Sequence, residues 1–471
     1  MPREHSDSET RAPHADLDAT DQLEPRGDAI EPSVSAAEVN NFRIFLLIWA
    51  AQLVARIGNG LTAFGLGVHV YQQTGLTTSV ALVTVAAFLP GVLLAPLGGV
   101  LADRFDRRLL MIFGDTASAV GLVALLVLFH TGTDSVALIC VAVAFSSVFT
   151  SVMDPAYRAT ITDLLTPKQY ARASGLVQLA SASQYLISPA IAGILVASFG
   201  VQLVVLIDIG TMAFTIVSMV LVWRAISSRT PVAERGFWAD LRFGFAYFVQ
   251  NRGLLLLMLL ITLITFCMGF LQTLLTPMLL DLSDEKILGV VRSVAAIGMV
   301  IASLYIGVFD MGTNHRAYLS VALAAAGVTV FLMGTTPVVP LIGLFAFLFF
   351  MTLPPLNTSV EVLVRASIPN EIQGRVWGLM GLVSQFGYVV AYGVSGPLAD
   401  LVFNPLLVKG GPLADTVGAL IGTGESRGIG LMLKETRNVA GVELFNIVLD
   451  IVYHLVLTWM SLQIPGIWVL S

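Results

Sequence analysis

The chain has 471 residues, 56% of them hydrophobic and only 12% charged, with a mean hydropathy of +0.84. Soluble domains carry about 25% charged residues, so the composition excludes an ordinary water-soluble core and points to a lipid bilayer as solvent. The net charge of -6 is uneven: residues 1–41 hold ten acids and three bases, which leaves the remainder near neutral.

In chain order, the acidic segment 1–41 has no aromatic residue and several prolines, and reads as a disordered tail. It is not a signal peptide, because no basic start precedes a short apolar run. Eleven apolar runs follow, at about 43–71, 79–101, 109–130, 136–153, 178–199, 201–222, 254–280, 288–309, 317–334, 337–356 and 376–398. Each approaches the roughly 20 residues a spanning helix needs. A twelfth is expected within 411–471. Strands of a β-barrel would be shorter and alternating.

Charges inside spans are costly and mark candidate functional positions. The first run carries Arg56 near its middle, with Gln52 and Asn59 as polar cavity liners and His69 towards its end. Asp115 lies two turns into the third run and Asp208 two turns into the sixth. Arg56 and an aspartate are expected to form a buried pair, the partner being open. Asp115 and Asp208 are candidate proton carriers if burial favours their neutral form. Glu361 reads as solvated or salt-bridged.

Between the second and third runs lies "GGVLADRFDRRL", Gly98 to Leu109. Alternate loops share its basic character: Arg158, Lys168 and Arg172; Arg224, Arg229, Arg235, Arg242 and Arg252; Arg316; Arg365 and Arg375. The other loops offer only Lys286 and Lys409. The basic set is therefore expected in the cytoplasm, together with both termini. The break at 223–253 contains Phe237, Leu241, Phe245 and Phe248 at helical spacing, the pattern of an amphipathic helix on the membrane surface. It divides the spans six and six.

The halves resemble each other. "LTPKQYARASGL" (165–176) and "IPNEIQGRVWGL" (368–379) align at an offset of 203 residues, and "SPAIAG" (188–193) and "SGPLAD" (395–400) fall near the same offset. Together they support a duplicated six-helix unit. Pro189, Gly193, Gly396 and Pro397 are the expected helix-packing positions.

"GGVLADRFDRRL" resembles the cytoplasmic signature G-x-x-x-D-[RK]-x-G-[RK]-[RK] of the major facilitator superfamily. Gly99, Asp103, Arg104, Arg107 and Arg108 match, and Asp106 stands where many members have Gly. "VYQQTG", "GPLADLVFNPLL" and "GTGESRGIGL" are similar to the branch that includes macrolide-efflux and enterobactin-exporter proteins. The resemblance covers about residues 43–433. It implies an all-α membrane protein of about twelve transmembrane helices in two six-helix pseudo-repeats. It makes the five matching residues a conformational gating motif, with Asp103 accepting from the helix start near Arg375 and Val376. A pair between Arg107 and Asp154, at the end of the fourth span, is also expected.

The expected organisation is a tail at 1–41, a helix bundle at 42–224, a linker at 225–253, a second bundle at 254–433 and an atypical end at 434–471. In that end Lys434, Glu435 and Arg437 interrupt the twelfth span, as a replaced segment would. The expected function is proton-coupled export of amphiphilic small molecules, of drug or siderophore type, from a bacterial-type cytoplasmic membrane. The alternatives are an uptake carrier for a small metabolite and a non-transporting relative that has decayed or acts as a sensor. The chain is expected to act as a monomer with substrate, protons and lipid as partners. No enzyme chemistry, cofactor, metal or nucleic-acid partner is expected: there is no P-loop and no metal-ligand spacing. Cys140 and Cys267 lie in apolar runs and imply no disulfide framework.

Overall fold

A computed structural model describes residues 36–223, 252–308, 314–367, 373–408, 410–415, 418 and 424–434. Residues 1–35, 224–251 and 435–471 lie outside the described residues, as do the tail, linker and C-terminal expectations that fall on them; the last residues of the expected tail, 36–41, are instead the first turns of a helix that runs on to Thr74.

The described residues form helices. The first half contains α1 (Ala36–Thr74), α2 (Thr77–Arg104), α3 (Arg107–Thr131), α4 (Val136–Leu164), α5 (Pro167–Leu186), α6 (Ser188–Phe199) and α7 (Val201–Val222). The second contains α8 (Arg252–Leu282), α9 (Glu285–Val308), α10 (His315–Thr335), α11 (Val339–Ser367), α12 (Gln373–Leu398), α13 (Asn404–Leu407) and α14 (Glu425–Lys434). Eleven segments of the described residues are long and apolar enough to span a membrane. Their outward faces carry Leu221, Leu401, Val321 and Val141, each at least two-thirds exposed, a surface suited to lipid rather than water.

Local sequence sets the boundaries. Asp106 caps α3, accepting from the Arg108 N–H at 3.0 Å. Thr166 and Gln169 form a capping box at the start of α5, with Pro167 at its first position. Gly132 ends α3 at φ 66°, a left-handed conformation that favours glycine.

Two expectations need correction. The run at 178–199 lies within one membrane-length span, Gly175–Phe199, but its helix is interrupted at Ile187, because Pro189 lacks an N–H and its ring crowds the preceding turn. The fourth span does not end near Asp154: α4 continues to Leu164. Residues 154–164 are less apolar and include Pro155, yet the helix continues through them, packed by Ala156, Tyr157 and Leu164 in the core of the first half.

Four apolar clusters organise the bundle. One straddles both halves, joining Leu61, Phe64, Val68, Ala192 and Val196 to Met268, Leu274, Met278, Leu288 and Val291. It lies towards the end of the bundle that carries the α1–α2 turn, here called the far end. At the opposite, basic end each half keeps its own cluster. Ile44, Phe45, Leu110, Met111 and Tyr157 pack in the first half. Leu254, Leu257, Met258, Leu319 and Val364 pack in the second. A fourth, around Leu125 and Ile139, is internal to the first half. α14 begins beside α8, α10 and α13.

Candidate transport site

At the basic end, among the described residues, Asp106, Arg107 and Arg108 of the 2–3 loop make bonds to their own half. Arg108 donates from Nε to Asp106 at 2.9 Å and from Nη1 to the Trp223 carbonyl at 2.9 Å, and stacks over the Trp223 ring. This bond to Arg108 holds the Asp106 carboxyl below the usual carboxylate range. Arg107 donates to the Ala159 carbonyl at 3.2 Å and pairs with Asp163. The expected partner Asp154 is incorrect. Arg107 opens α3, level with the end of α4, while Asp154 sits more than two turns earlier on α4. Gly98 lets the Ser151 backbone of α4 come close. The side chains of Gly99, Asp103 and Arg104, and the 375–376 partner, lie outside the described residues.

Deeper in the first half, Arg56 donates to Asp154 at 2.9 Å, and Asp154 also accepts from Arg158 at 3.1 Å. Arg56 therefore finds its aspartate on α4, not at Asp115 or Asp208. Its Nε and the Tyr157 hydroxyl are buried without a partner. Gln52 and Asp115 come together around one small cavity, where Asp115 accepts from Thr215 at 2.8 Å and the Gln52 amide faces the Met153 sulfur at 3.8 Å. Asp208 is almost fully buried and accepts from Thr211 at 3.3 Å, where α1 passes closely at Gly58. Asn59 is half-buried on the same helix. His69 pairs with Asp134 at 2.8 Å near the far end.

Between the halves stands a group the sequence reading missed. Phe88 of α2 meets Tyr388 and Tyr392 of α12, with ring centroids 5.6 and 5.5 Å away. The Tyr392 hydroxyl donates to Gln272 Oε1 at 2.9 Å. Arg292 of α9 donates to the Gln272 carbonyl at 3.0 Å and the Thr276 hydroxyl at 2.6 Å, and lies over Phe64 of α1. Arg292 is a charge within an apolar run, the same signal that singled out Arg56.

At the far end the halves are joined twice. Gly193 of α6 lies against α9, where a Cβ would sit 2.5 Å from the Glu285 carbonyl. Gly289 lies reciprocally against the Pro189 backbone, and the Ala190 N–H donates to Ser293 at 3.2 Å. Gly396 of α12 lies against α2, where a Cβ would sit 2.5 Å from Thr78 Cα. Pro397 follows within α12. Beyond it the chain widens into a π turn at Ala399–Phe403, and Asp400 reaches the start of α2. It accepts from the Thr77 N–H at 3.1 Å, the Thr78 N–H at 2.7 Å and the Thr78 hydroxyl at 2.6 Å. The residue at the cap position of α2, Leu76, has no side-chain oxygen to offer, so the other half supplies the cap. Gln72 and Glu285 add a further bond across the seam. An open cleft of about 570 Å³, lined by Gly75, Leu76, Asp400 and Asn404, lies over this junction.

A bundle with eleven membrane-length helices among the described residues, its halves meeting around a central seam, is the architecture of a secondary transporter. The chain belongs to the Major Facilitator Superfamily, whose sequence profile matches residues 48–392. It is a multi-pass membrane transporter, not an enzyme. It is 25% identical over 374 residues to macrolide efflux protein A of Streptococcus pyogenes, covering 77% of this chain and 91% of that one. It is 25% identical over 371 residues to the multidrug efflux pump Tap of Mycolicibacterium fortuitum, covering 75% and 89%. Its fold is similar to the crystal structure of a bacterial homologue of the iron transporter ferroportin in an inward-facing state, with a TM-score of 0.65 at 15% identity. That match covers 89% of this chain and 99% of the other.

Proposed function

We propose that the protein is a proton-coupled exporter of amphiphilic small molecules that works by alternating access, with the basic end in the cytoplasm. The observation that carries this is the distribution of packing. Among the described residues one apolar cluster crosses between the halves towards the far end, while towards the basic end the apolar clusters each lie within one half. Two rigid halves that share one end and part at the other form a rocker around a central site. The state described is then closed to the outside and receptive from the cytoplasm.

Under this reading, Arg56 with Asp154 couples the cytoplasmic side of the site to α4. Asp115 and Asp208, beside Gln52 and Asn59, are the groups through which protons pass. Gly99, Asp103, Arg104, Arg107 and Arg108 set the closing equilibrium at the cytoplasmic face. Pro189, Gly193, Gly396 and Pro397 form the outer packing. The efflux names of the relatives support the direction.

The test is accumulation of a fluorescent amphiphile in a deletion strain, with and without expression and with and without an uncoupler. Lower accumulation on expression, abolished by the uncoupler, is expected. Higher accumulation on expression would assign uptake instead, and no change would assign a non-transporting role.

A further inference from the structure

One charge in the central seam has no counter-ion. Both hydrogen bonds of Arg292 come from Nη2. Among the described residues its Nη1 and Nε make none, and neither is among the buried unpartnered atoms, so each keeps some accessible surface. No carboxylate lies within ion-pair reach of Arg292 among the described residues. The groups that meet it from packed helices are Phe64 of α1 and Gln272 and Thr276 of α8, with Tyr392 of α12 joined through Gln272. All are neutral.

An intramembrane guanidinium is costly to hold without an anion, and its hydrogen bonds to a carboxylate are stronger than those to neutral groups. The acids of the first half are engaged elsewhere: Asp154 by two arginines, Asp115 by Thr215 and Asp208 by Thr211. Through Gln272 the cation is linked to a group of aromatic rings. Tyr388 and Tyr392 have ring centroids 5.8 Å apart, and Phe88 reaches them from the opposite half. Such rings accept a further ring by offset or edge contact.

We propose that this Arg292–aromatic site binds the anionic head and flat ring of an aromatic carboxylate, so that the substrates are weak organic acids rather than organic cations. The proposal rests on the transport reading and names its substrate class. A carboxylate oxygen would accept a single charge-assisted bond from an Nη1 or Nε hydrogen left outside the bonds to Gln272 and Thr276. The ring would lie on Phe88, Tyr388 and Tyr392 and so touch both halves, which is where a substrate must sit to bias their rocking. A cationic amphiphile would meet an unscreened like charge at the same point.

The test is calorimetric binding of two probes with one ring and opposite charge, 2-naphthoate and 2-naphthylmethylammonium, to the full chain in nanodiscs at pH 7.5. Naphthoate should bind at least tenfold tighter. Arg292→Gln should abolish that preference without weakening the cation, and Arg292→Lys should keep part of it. Equal binding, a preference for the cation, or a preference retained in Arg292→Gln would overturn the proposal. The unmodified chain decides the first two outcomes even if a variant fails to fold. A chain that exports amphiphiles but prefers the cation overturns this proposal and leaves export standing. A chain that moves neither overturns export itself.

Discussion

The two ends of the bundle use polar groups in opposite ways. At the basic end Asp106, Arg107 and Arg108 bind α3, α4 and the end of α7, and Arg56 binds Asp154 of α4. All of those contacts stay within the first half. At the far end Asp400 caps a helix of the other half, and Gln72 meets Glu285 across the seam. Glycines at 193 and 396 bring backbones together there. Interactions inside a rigid half survive its rotation, whereas interactions between halves must break for it to rotate. The basic end is built for stability of the unit, and the far end for a reversible junction.

The largest effect should come from filling the close approaches. Gly396→Leu or Gly193→Leu puts a side chain where only backbone fits, and overpacking of this kind costs about 1–3 kcal/mol or more. Transport should fall at least tenfold, and impermeant thiol reagents should reach far-end cysteines that are protected in the unmodified chain. Unchanged transport would show that the junction is looser than described.

Arg56→Ala comes next. It leaves Asp154 with Arg158 alone, and should reduce transport several-fold while leaving far-end accessibility unchanged. A change in far-end accessibility would mean that the ends are not independent.

Removing the borrowed cap should be milder. An N-cap is worth about 1 kcal/mol, up to 2, and 1.4 kcal/mol is tenfold in a population. Asp400→Ala should shift the chain towards its far-end-open form by about tenfold, with Asp400→Asn in between, because asparagine also caps. Labelling rates at a far-end cysteine measure both.

The smallest effect should be at Asp106. Its Ala variant should lose about 1 kcal/mol of stability and leave far-end labelling as it was. Because Arg108 lowers its carboxyl in the folded state, that contribution is present above the unfolded value of about 3.9. It is lost as pH falls through the folded value. The gap in thermal stability between the two chains should therefore be present at pH 7 and narrow below about pH 4.

The spans could be read from sequence because a bilayer demands uninterrupted apolar runs, and the repeat motifs at 188–193 and 395–400 were visible as a pair. What these motifs touch was not. The partner of Asp400 is a backbone N-terminus, which leaves no side-chain signature beyond Leu76 standing where a capping residue belongs. The partner of Arg56 was hidden because α4 continues past its apolar stretch, which places Asp154 inside the bundle rather than at its edge. Arg292 was legible by the rule that found Arg56. It lies inside the apolar run at 288–309, one turn from its start.

The most direct test measures both ends at once. With Cys140 and Cys267 replaced by alanine, spin labels at the exposed Leu76 and Val408 report the far-end junction, and labels at the exposed Phe105 and Tyr318 report the basic end. In substrate-free protein, double electron–electron resonance should give one narrow, short distance for the far-end pair and a broad distribution for the basic-end pair. A narrow basic-end distance with a broad far-end distribution would contradict the account.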